Sequence, residues 1–389
     1  MILQILRKNL ILYVCLAILS FGFLRRLSLA KTSCLEGFSG GDYSTHIRAV
    51  SDLINGKNPY EWTVISYNNL ENDPTNKGYA YFPGILYINC FLYIFSLIAS
   101  FSFNLSSFLF NPVFLFKLPG IISDLGVGVF LLVYFYYIKK DKLAALFSVS
   151  FWVFNFYITL KNSLAGFDSV PVLFMVLALY YLSKDDILSG FFFALSILFK
   201  TFPVILFPIF LFRSKNPLKF LLAGFTTAFF FSIPFMRSYQ DFWIYLQGAL
   251  LVHGHRFVQG RPFLYYISYY YSVELFRIIP FNFYSLGSIF SGWILIVANK
   301  FMANFKETIF VDNKYAIATL PFISFYTLTP VLNRTYLLWA VPVFLLGGYN
   351  FFKRKRILVL FYLFNLFYWG FCYWYLAQWH DGFHIWHPI

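Results

Sequence analysis

The sequence predicts an all-α protein, a polytopic bundle of about ten to twelve transmembrane helices with one large polar loop near its start. The first observation is composition: 60% of the 389 residues are hydrophobic and 12% are charged, whereas roughly a quarter of a soluble domain is charged. The second is the 24% of aromatic residues, since Phe suits lipid-facing surfaces and Tyr and Trp suit the membrane–water interface. The third is that short basic clusters separate long apolar runs, as in cytoplasmic loops.

The helices are predicted from the apolar runs, because about 20 apolar residues cross a bilayer core of about 30 Å. The first run is 10–24, and a polar stretch from 25 to 82 follows it. The later runs are 84–101, 105–118, 120–138, 143–160, 169–183, 187–200, 202–212, 218–236, 263–279, 283–299, 315–330, 335–351 and 357–378. Several are too short or too closely spaced to cross alone, so some are expected to be re-entrant or interfacial. Residues 1–389 are predicted to form one multi-pass membrane domain.

The basic clusters predict which ends of the helices face the cytoplasm. They are Arg7 with Lys8, Lys139–Lys142, Arg213–Lys219 and Lys353–Arg356. The non-cytoplasmic segments are then 25–82, which is the first outer loop, 161–168, 237–262, 330–334 and the C-terminus. Arg25 and Arg26 conflict with this assignment, because they put positive charge at the outer end of the first span.

Asp42 is the first candidate for chemistry. Two glycines precede it, a pattern typical of a helix start, and an amphipathic helix is predicted through Ile54. Asp42 is either the N-cap of that helix or a general base held at the membrane surface. His46 lies on the same helix face four residues later, either as an ordinary polar-face residue or as a substrate ligand. Tyr81 lies where the chain re-enters the membrane, which an aromatic belt also explains.

Charged residues within or between the apolar runs are further candidates. Lys117 and Asp124 lie inside such runs, where charge usually faces a polar cavity, although the two could also pair with each other. Asp168 is either a helix cap or a site residue. Lys200 separates two apolar runs.

A basic group is predicted on the outer side, where positive charge is normally sparse. Its members are His253, His255, Arg256, Arg261 and Arg334. Outer loops need some solvated charge, but Arg also pairs well with phosphate. These residues are therefore candidate ligands of a phosphate.

Several function classes are disfavoured. The net charge of +14 is concentrated in the predicted cytoplasmic turns, so no nucleic-acid partner is expected. The sequence has no nucleotide-binding glycine loop, and its four cysteines lack metal-ligand spacing. Neither a cofactor nor a metal is expected.

The order of these motifs resembles the GT-C superfamily of integral-membrane glycosyltransferases. Within it, the sequence is similar to mannosyltransferases that use polyprenyl-phosphate mannose, such as the catalytic subunit of GPI mannosyltransferase I and its bacterial and archaeal relatives. The matching stretches are Asp42-Tyr43, Gly56-Lys57-Asn58-Pro59-Tyr60, Tyr81-Phe82-Pro83, Phe116-Lys117 with Asp124, Phe167-Asp168-Ser169, Phe199-Lys200-Thr201-Phe202-Pro203, and Asn333-Arg334-Thr335-Tyr336 with Trp339. Two positions depart: Gly40 replaces the first Asp of an Asp-x-Asp pair, and Phe202 stands where Tyr is common.

The resemblance implies inverting transfer of a hexose, expected to be mannose, from a polyprenyl-phosphate donor to a lipid-linked or protein glycan acceptor. Asp42 would be the base, and Lys200 or an Arg of the basic group would neutralise the departing phosphate, with the other candidates binding substrate. It favours a bacterial or archaeal cell membrane over the endoplasmic reticulum, with the site on the non-cytoplasmic face. A lipid-linked sugar transporter or flippase, a glycan polymerase and a structural membrane protein remain alternatives.

Overall fold

In the part of the chain that the structure describes, the fold is a helical bundle with one small sheet. The computed structural model describes residues 2–35, 40–68, 78–103, 108–155, 159, 163, 166–255, 258–260, 262–263, 281–303, 313–333, 335–354, 357–377 and 385–386. The helices are α1 (Ile2–Leu35), α2 (Gly40–Ile54), α3 (Tyr60–Asn68), α4 (Gly84–Phe103), α5 (Pro112–Leu115), α6 (Leu118–Leu132), α7 (Lys142–Val153), α8 (Ser169–Tyr181), α9 (Asp186–Phe199), α10 (Phe207–Arg213), α11 (Pro217–Ser232), α12 (Tyr239–Ala249), α13 (Phe281–Ala303), α14 (Lys314–Leu328), α15 (Tyr336–Arg354) and α16 (Leu358–Ala377). A π-helical turn, Val133–Ile138, continues α6, and short 3₁₀ turns cover Phe108–Phe110, Phe202–Leu206, Ile233–Phe235 and Leu251–His255.

The prediction of an all-α polytopic membrane protein is confirmed. Within the described residues, five helical segments are long and apolar enough to cross a membrane: Asn9–Cys34, Gly84–Phe101, Pro112–Ile138, Pro217–Phe235 and Leu358–Tyr375. Shorter apolar helices are Lys142–Val153, Ser169–Tyr181, Asp186–Phe199, Phe202–Arg213 and Leu286–Phe301. The count of ten to twelve crossings stays a prediction, because these shorter helices do not each match the length of a full span.

The first helix is longer than its apolar run predicts. The run ends before Arg25, but α1 continues to Leu35, so the polar stretch from 25 to 82 begins inside a helix. The helix can continue because Arg26 is buried and pairs with Asp124 of α6. This ion pair also removes much of the conflict in the charge pattern, since the charge of Arg26 is neutralised inside the bundle.

The region 84–118 forms a hairpin with unequal limbs. Its first limb is α4, and its second is the short stretch from Phe108 to Leu115. The limbs touch where Ser96 donates a hydrogen bond to the Phe110 carbonyl and where the rings of Phe95 and Phe110 meet. The second limb by itself is too short for a separate crossing.

The helices bring the turns of the chain to two opposite ends of the bundle. At the basic end, Tyr349 Oη donates to Asp141 Oδ2 at 2.9 Å and Lys353 Nζ donates to Tyr349 Oη at 2.6 Å. Ser183 also donates to the Arg213 carbonyl there. The turns assigned to the cytoplasm therefore meet each other, and the other ends of the same helices meet around the candidate site.

A three-stranded sheet joins three distant segments at the site end. Strand β1 (Val258–Gly260) pairs in parallel with β2 (Val331–Leu332) and antiparallel with β3 (Ile385–Trp386). The buried Tyr375 donates to the Leu332 carbonyl at 2.5 Å, which ties α16 to β2. Segments predicted to lie on one side of the membrane thus lie together.

Candidate functional site

An ion pair between Lys200 and Asp168 lies at the centre of the candidate site. Lys200 Nζ donates to Asp168 Oδ1 at 2.6 Å, and Trp339 Nε1 donates to the same oxygen at 2.9 Å. Asp168 occupies the N-cap position of α8, yet its side chain makes no capping hydrogen bond. The interpretation of Asp168 as a helix cap is therefore wrong, because its carboxylate accepts hydrogen bonds from Lys200 and Trp339 on other elements of the bundle.

Aromatic rings surround the Lys200 ammonium. Its nitrogen lies 5.2 Å from the ring centroid of Trp339 and 5.8 Å from those of Tyr81, Phe167 and Tyr336. Such rings attract a cation through their π faces. The Lys200 side chain keeps 15% of its surface exposed and that of Asp168 keeps 5%, so the cation of this pair is the more accessible partner.

A stack of rings fixes the back of this enclosure. The centroids of Phe202 and Trp339 are 4.0 Å apart at an interplanar angle of 9°, and those of Trp339 and Tyr336 are 3.9 Å apart. Both faces of Trp339 are covered, so its indole N–H is aimed at Asp168 by packing. Phe202, where the resembled family commonly has Tyr, serves here as a stacking ring.

His46 joins the site from α2. Its ring lies nearly parallel to that of Tyr81, with centroids 5.9 Å apart, and meets Phe167 edge-on at 5.4 Å. His46 Nδ1 lies 3.3 Å from Asn89 Nδ2 of α4. His46 and Tyr81, each predicted separately as a substrate-binding residue, thus contact each other directly, and their binding of substrate stays a prediction.

Asp42 lies in the first turn of α2. The predicted end of that helix at Ile54 is confirmed, but the helix begins at Gly40, so Asp42 is inside it and not at its N-cap. The helix brings His46, one turn later, into contact with the aromatic enclosure. The side chain of Asp42 lies outside what the structure describes, and its role as a base stays a prediction.

Lys117 and Asp124 do not pair with each other, so that alternative is wrong. Lys117 is fully buried; its ammonium donates to Ser33 Oγ at 2.8 Å and lies 5.6 Å from the Tyr43 ring. Asp124 pairs with Arg26 and accepts from Ser169 Oγ at 3.4 Å. Both charges are therefore used inside the protein, and substrate contact by either is untested.

Of the remaining basic candidates, the structure describes His253 and the backbone of His255. The 3₁₀ turn that contains His253 packs against α3 and against the segment before Tyr81, since Val252 clusters with Tyr67 and Ala80. The backbone of His255 belongs to the same turn, but its side chain lies outside the described part. Arg256, Arg261 and Arg334 also lie outside the described residues, so their predicted phosphate contacts stay predictions.

Sequence reasoning did not select Trp339, Phe167 or Arg26 as site or supporting residues. Trp339 and Phe167 stand in motifs that carried the resemblance, and this was the available signal for them. Arg26 had a weaker signal: a positive charge on the side where positives are sparse. Its partner is 98 residues away, so no local pattern identifies the pair.

Comparison with known families identifies the chain at the family level. The model of glycosyltransferase family 87 matches residues 93–297, which is just over half of the chain. The matched region contains Lys117, Asp124, Asp168 and Lys200, and it begins after Asp42, His46 and Tyr81. No curated protein matches the chain. With a membrane-helical fold and a matched region that includes the central ion pair, the chain belongs to glycosyltransferase family 87.

Proposed function

We propose that the chain transfers a hexose, with inversion, from a polyprenyl-phosphate carrier to a lipid-linked or protein glycan acceptor. The observation that carries this proposal is the partly exposed Lys200 ammonium, which is held by Asp168 inside an aromatic enclosure at one end of the bundle. A lipid-borne donor reaches such a position from the bilayer. Its phosphate suits a fixed cation, and the C–H faces of a hexose suit aromatic rings.

The proposed chemistry is a single displacement at the anomeric carbon. The acceptor oxygen forms a bond to that carbon while the bond to the phosphate oxygen breaks, and the phosphate leaves with the electron pair. Asp42 takes the proton from the acceptor hydroxyl, and Lys200 neutralises the developing negative charge. One displacement from the opposite face inverts the configuration. His46 and Tyr81 help bind the substrate.

Arg256, Arg261 and Arg334 are proposed as further ligands of the donor phosphate. Support comes from their neighbours in the chain: Gly260, which precedes Arg261, is in register with Leu332, two residues before Arg334. Arginine forms two parallel hydrogen bonds to a phosphate. His253 and His255 precede this segment and are proposed to lie near the same group.

Mannose as the sugar, the GT-C relationship and a bacterial or archaeal cell membrane are proposed from the motif resemblance. The non-cytoplasmic face is proposed because the basic turns gather at the opposite end of the bundle. Membership of a glycosyltransferase family favours this activity over a transporter of lipid-linked sugars. In addition, the buried charges of Arg26 and Asp124 pair with each other, and the cavity beside them has a volume of about 10 Å³, which is too small for the path of a sugar.

The test is sugar transfer by the full-length protein in lipid nanodiscs, with polyprenyl-phosphate mannose and polyprenyl-phosphate glucose as donors. Asp42→Asn should insert and fold normally while transfer falls by about 10²–10⁴-fold, the usual contribution of a general base. Asp52→Asn is the matched control on the same helix. The Asp52 side chain is 24% exposed, and its Oδ2 lies 3.9 Å from Nε of the more exposed Arg48, so Asp52→Asn should leave transfer within about twofold.

Two results would count against the proposal. If the wild-type protein transfers neither hexose to a pool that contains both glycolipid and glycoprotein acceptors, the donor class is wrong. If Asp42→Asn retains activity within a few-fold of wild type, Asp42 is a structural residue of the first turn of α2 and the base lies elsewhere.

A further inference from the structure

We propose that Arg26, Asp124 and Ser169 form a buried polar link that positions the Phe167–Asp168 turn, and that they do so without touching donor or acceptor. The inference rests on the proposed function, because the turn matters through the Asp168–Lys200 pair. It makes Arg26, Asp124 and Ser169 positioning residues. It also replaces the predicted substrate contact of Asp124 with an internal role.

The Arg26–Asp124 pair is sealed from substrate. The two side chains keep 3% and 1% of their surface exposed. The guanidinium also donates to the carbonyl of Gly22 at 3.0 Å and to that of Val153 at 3.2 Å. A cavity beside the pair has a volume of about 10 Å³, room for about one water molecule. No hexose fits there.

The Arg26–Asp124 pair contacts the Phe167–Asp168 turn through Ser169. Asp124 uses one carboxylate oxygen for Arg26 and the other, Oδ1, for Ser169 Oγ at 3.4 Å. Ser169 follows Asp168 in the chain and opens α8. One helical turn before Asp124, Gly120 lies so close to the turn that a Cβ there would collide with the Gly166 carbonyl oxygen. Helix α6 thus supports the turn on both sides of Asp168.

The pair also fixes α1 relative to this turn. Arg26 reaches from α1 to Asp124, and the Trp152 indole of α7 donates to the Asp124 carbonyl at 2.8 Å. Farther along α1, the Lys117 ammonium bonds Ser33 and lies over the ring of Tyr43, the residue after Asp42. A buried ion pair is expensive and an apolar pair is often at least as stable. The role of the Arg26–Asp124 pair is therefore to fix the position of α1 relative to residues 166–169.

The experiment compares variants that keep packing but remove the link, in full-length protein in nanodiscs. Arg26→Met with Asp124→Leu replaces the pair by apolar residues and should melt within a few degrees of wild type. Its turnover should fall by roughly 10–100-fold, as expected for a displaced catalytic group, while the donor KM changes by less than about threefold. Amide hydrogen exchange of residues 166–169 should become faster. That readout does not depend on activity.

A smaller change tests the link where the double variant fails to fold. Ser169→Ala should lower turnover by roughly three- to tenfold, and Ser169→Thr, which keeps the hydroxyl, should restore it. Ser189→Ala is the matched control, because Ser189 is also buried and donates to the Ala178 carbonyl at 3.1 Å at the basic end. It should leave turnover unchanged.

The outcomes separate this inference from the proposed function. If the double variant keeps wild-type turnover and wild-type amide exchange of residues 166–169, the pair is only a structural contact and the inference is overturned. Equal effects of Ser169→Ala and Ser189→Ala on turnover would also overturn it. If the wild-type protein shows no transfer from polyprenyl donors, the proposed function fails. The exchange of residues 166–169 then still decides whether the link positions the turn.

Discussion

At the scale of single residues, one carboxylate oxygen organises the site. Asp168 Oδ1 accepts hydrogen bonds from both Lys200 and Trp339. The same oxygen therefore neutralises the ammonium and orients the indole. Neither donor is near Asp168 in the sequence. Because the carboxylate is buried, removing its cation leaves an uncompensated charge, which typically costs about 3–5 kcal/mol.

We expect Lys200→Met to lower the melting temperature clearly and to abolish most transfer. Asp168→Asn should be milder: the amide oxygen still accepts from Trp339, and turnover should fall by roughly 10–100-fold, less than for Asp42→Asn. The double variant, Lys200→Met with Asp168→Asn, should regain much of the stability without regaining activity. Thermal melts and transfer assays on the same preparations measure this. A Lys200→Met protein as stable as wild type would show that the ion pair is not closed in solution.

At the scale of elements, the same residue types behave differently at the two ends of the helices. At the basic end, Asp141, Asp185, Asn216 and Asn313 each accept hydrogen bonds from the first turns of α7, α9, α11 and α14. At the site end, Asp168 occupies the same position on α8 without capping it. The helix-start pattern at Asp168 therefore marks the beginning of α8 correctly, but only three-dimensional contacts separate a cap from a functional carboxylate.

The packing of α9 against α11 depends on close approach at Gly190. A Cβ at this position would collide with the Phe220 carbonyl oxygen, whereas a Cβ at Gly224 would lie 3.5 Å from the nearest atom, the Gly190 carbonyl oxygen. We expect Gly190→Ala to destabilise the protein by about 1–3 kcal/mol, as overpacking does. Gly224→Ala should be close to neutral and serves as the control within the same interface. Equal melting temperatures for both variants would contradict this account of the crossing.

At the scale of the whole molecule, charge is divided between the two ends. Lys353 and Asp141 are joined through Tyr349, and burial, with a smaller effect of the nearby Lys353 ammonium, lowers the pKa of Lys139. Lys314 reaches the carbonyls of Tyr180 and Leu182 at 3.0 and 2.5 Å. Positive groups are thus crowded at this end even though they repel each other. This is the arrangement expected of a cytoplasmic face.

The resulting topology is testable with a reporter that is active only in the cytoplasm. Fusions after residue 60 and after Ala377 should be inactive, because both positions belong to the site end. Fusions after Lys140 and after Lys184, at the basic end, should be active and provide the matched controls. An active reporter after residue 60 would reverse the orientation and place the site on the cytoplasmic face.

The sequence by itself determined the membrane-helical class, most helix positions and the family resemblance. These follow from properties that are local in the chain: apolar runs long enough for the bilayer, basic turns between them, and short motifs in a fixed order. The same local properties predicted His46, Tyr81, Asp168 and Lys200 as candidates. They could not predict that these four come together.

Only the tertiary structure decided which charge meets which partner. Lys117 and Asp124, two helical turns apart, suggested a mutual pair, yet each reaches back to α1, at Ser33 and Arg26. Asp168 matched a cap equally well until Trp339, 171 residues away, accounted for its orientation. The physical reason is that pairing depends on distance in the folded bundle, and helix packing brings together side chains that no sequence spacing relates.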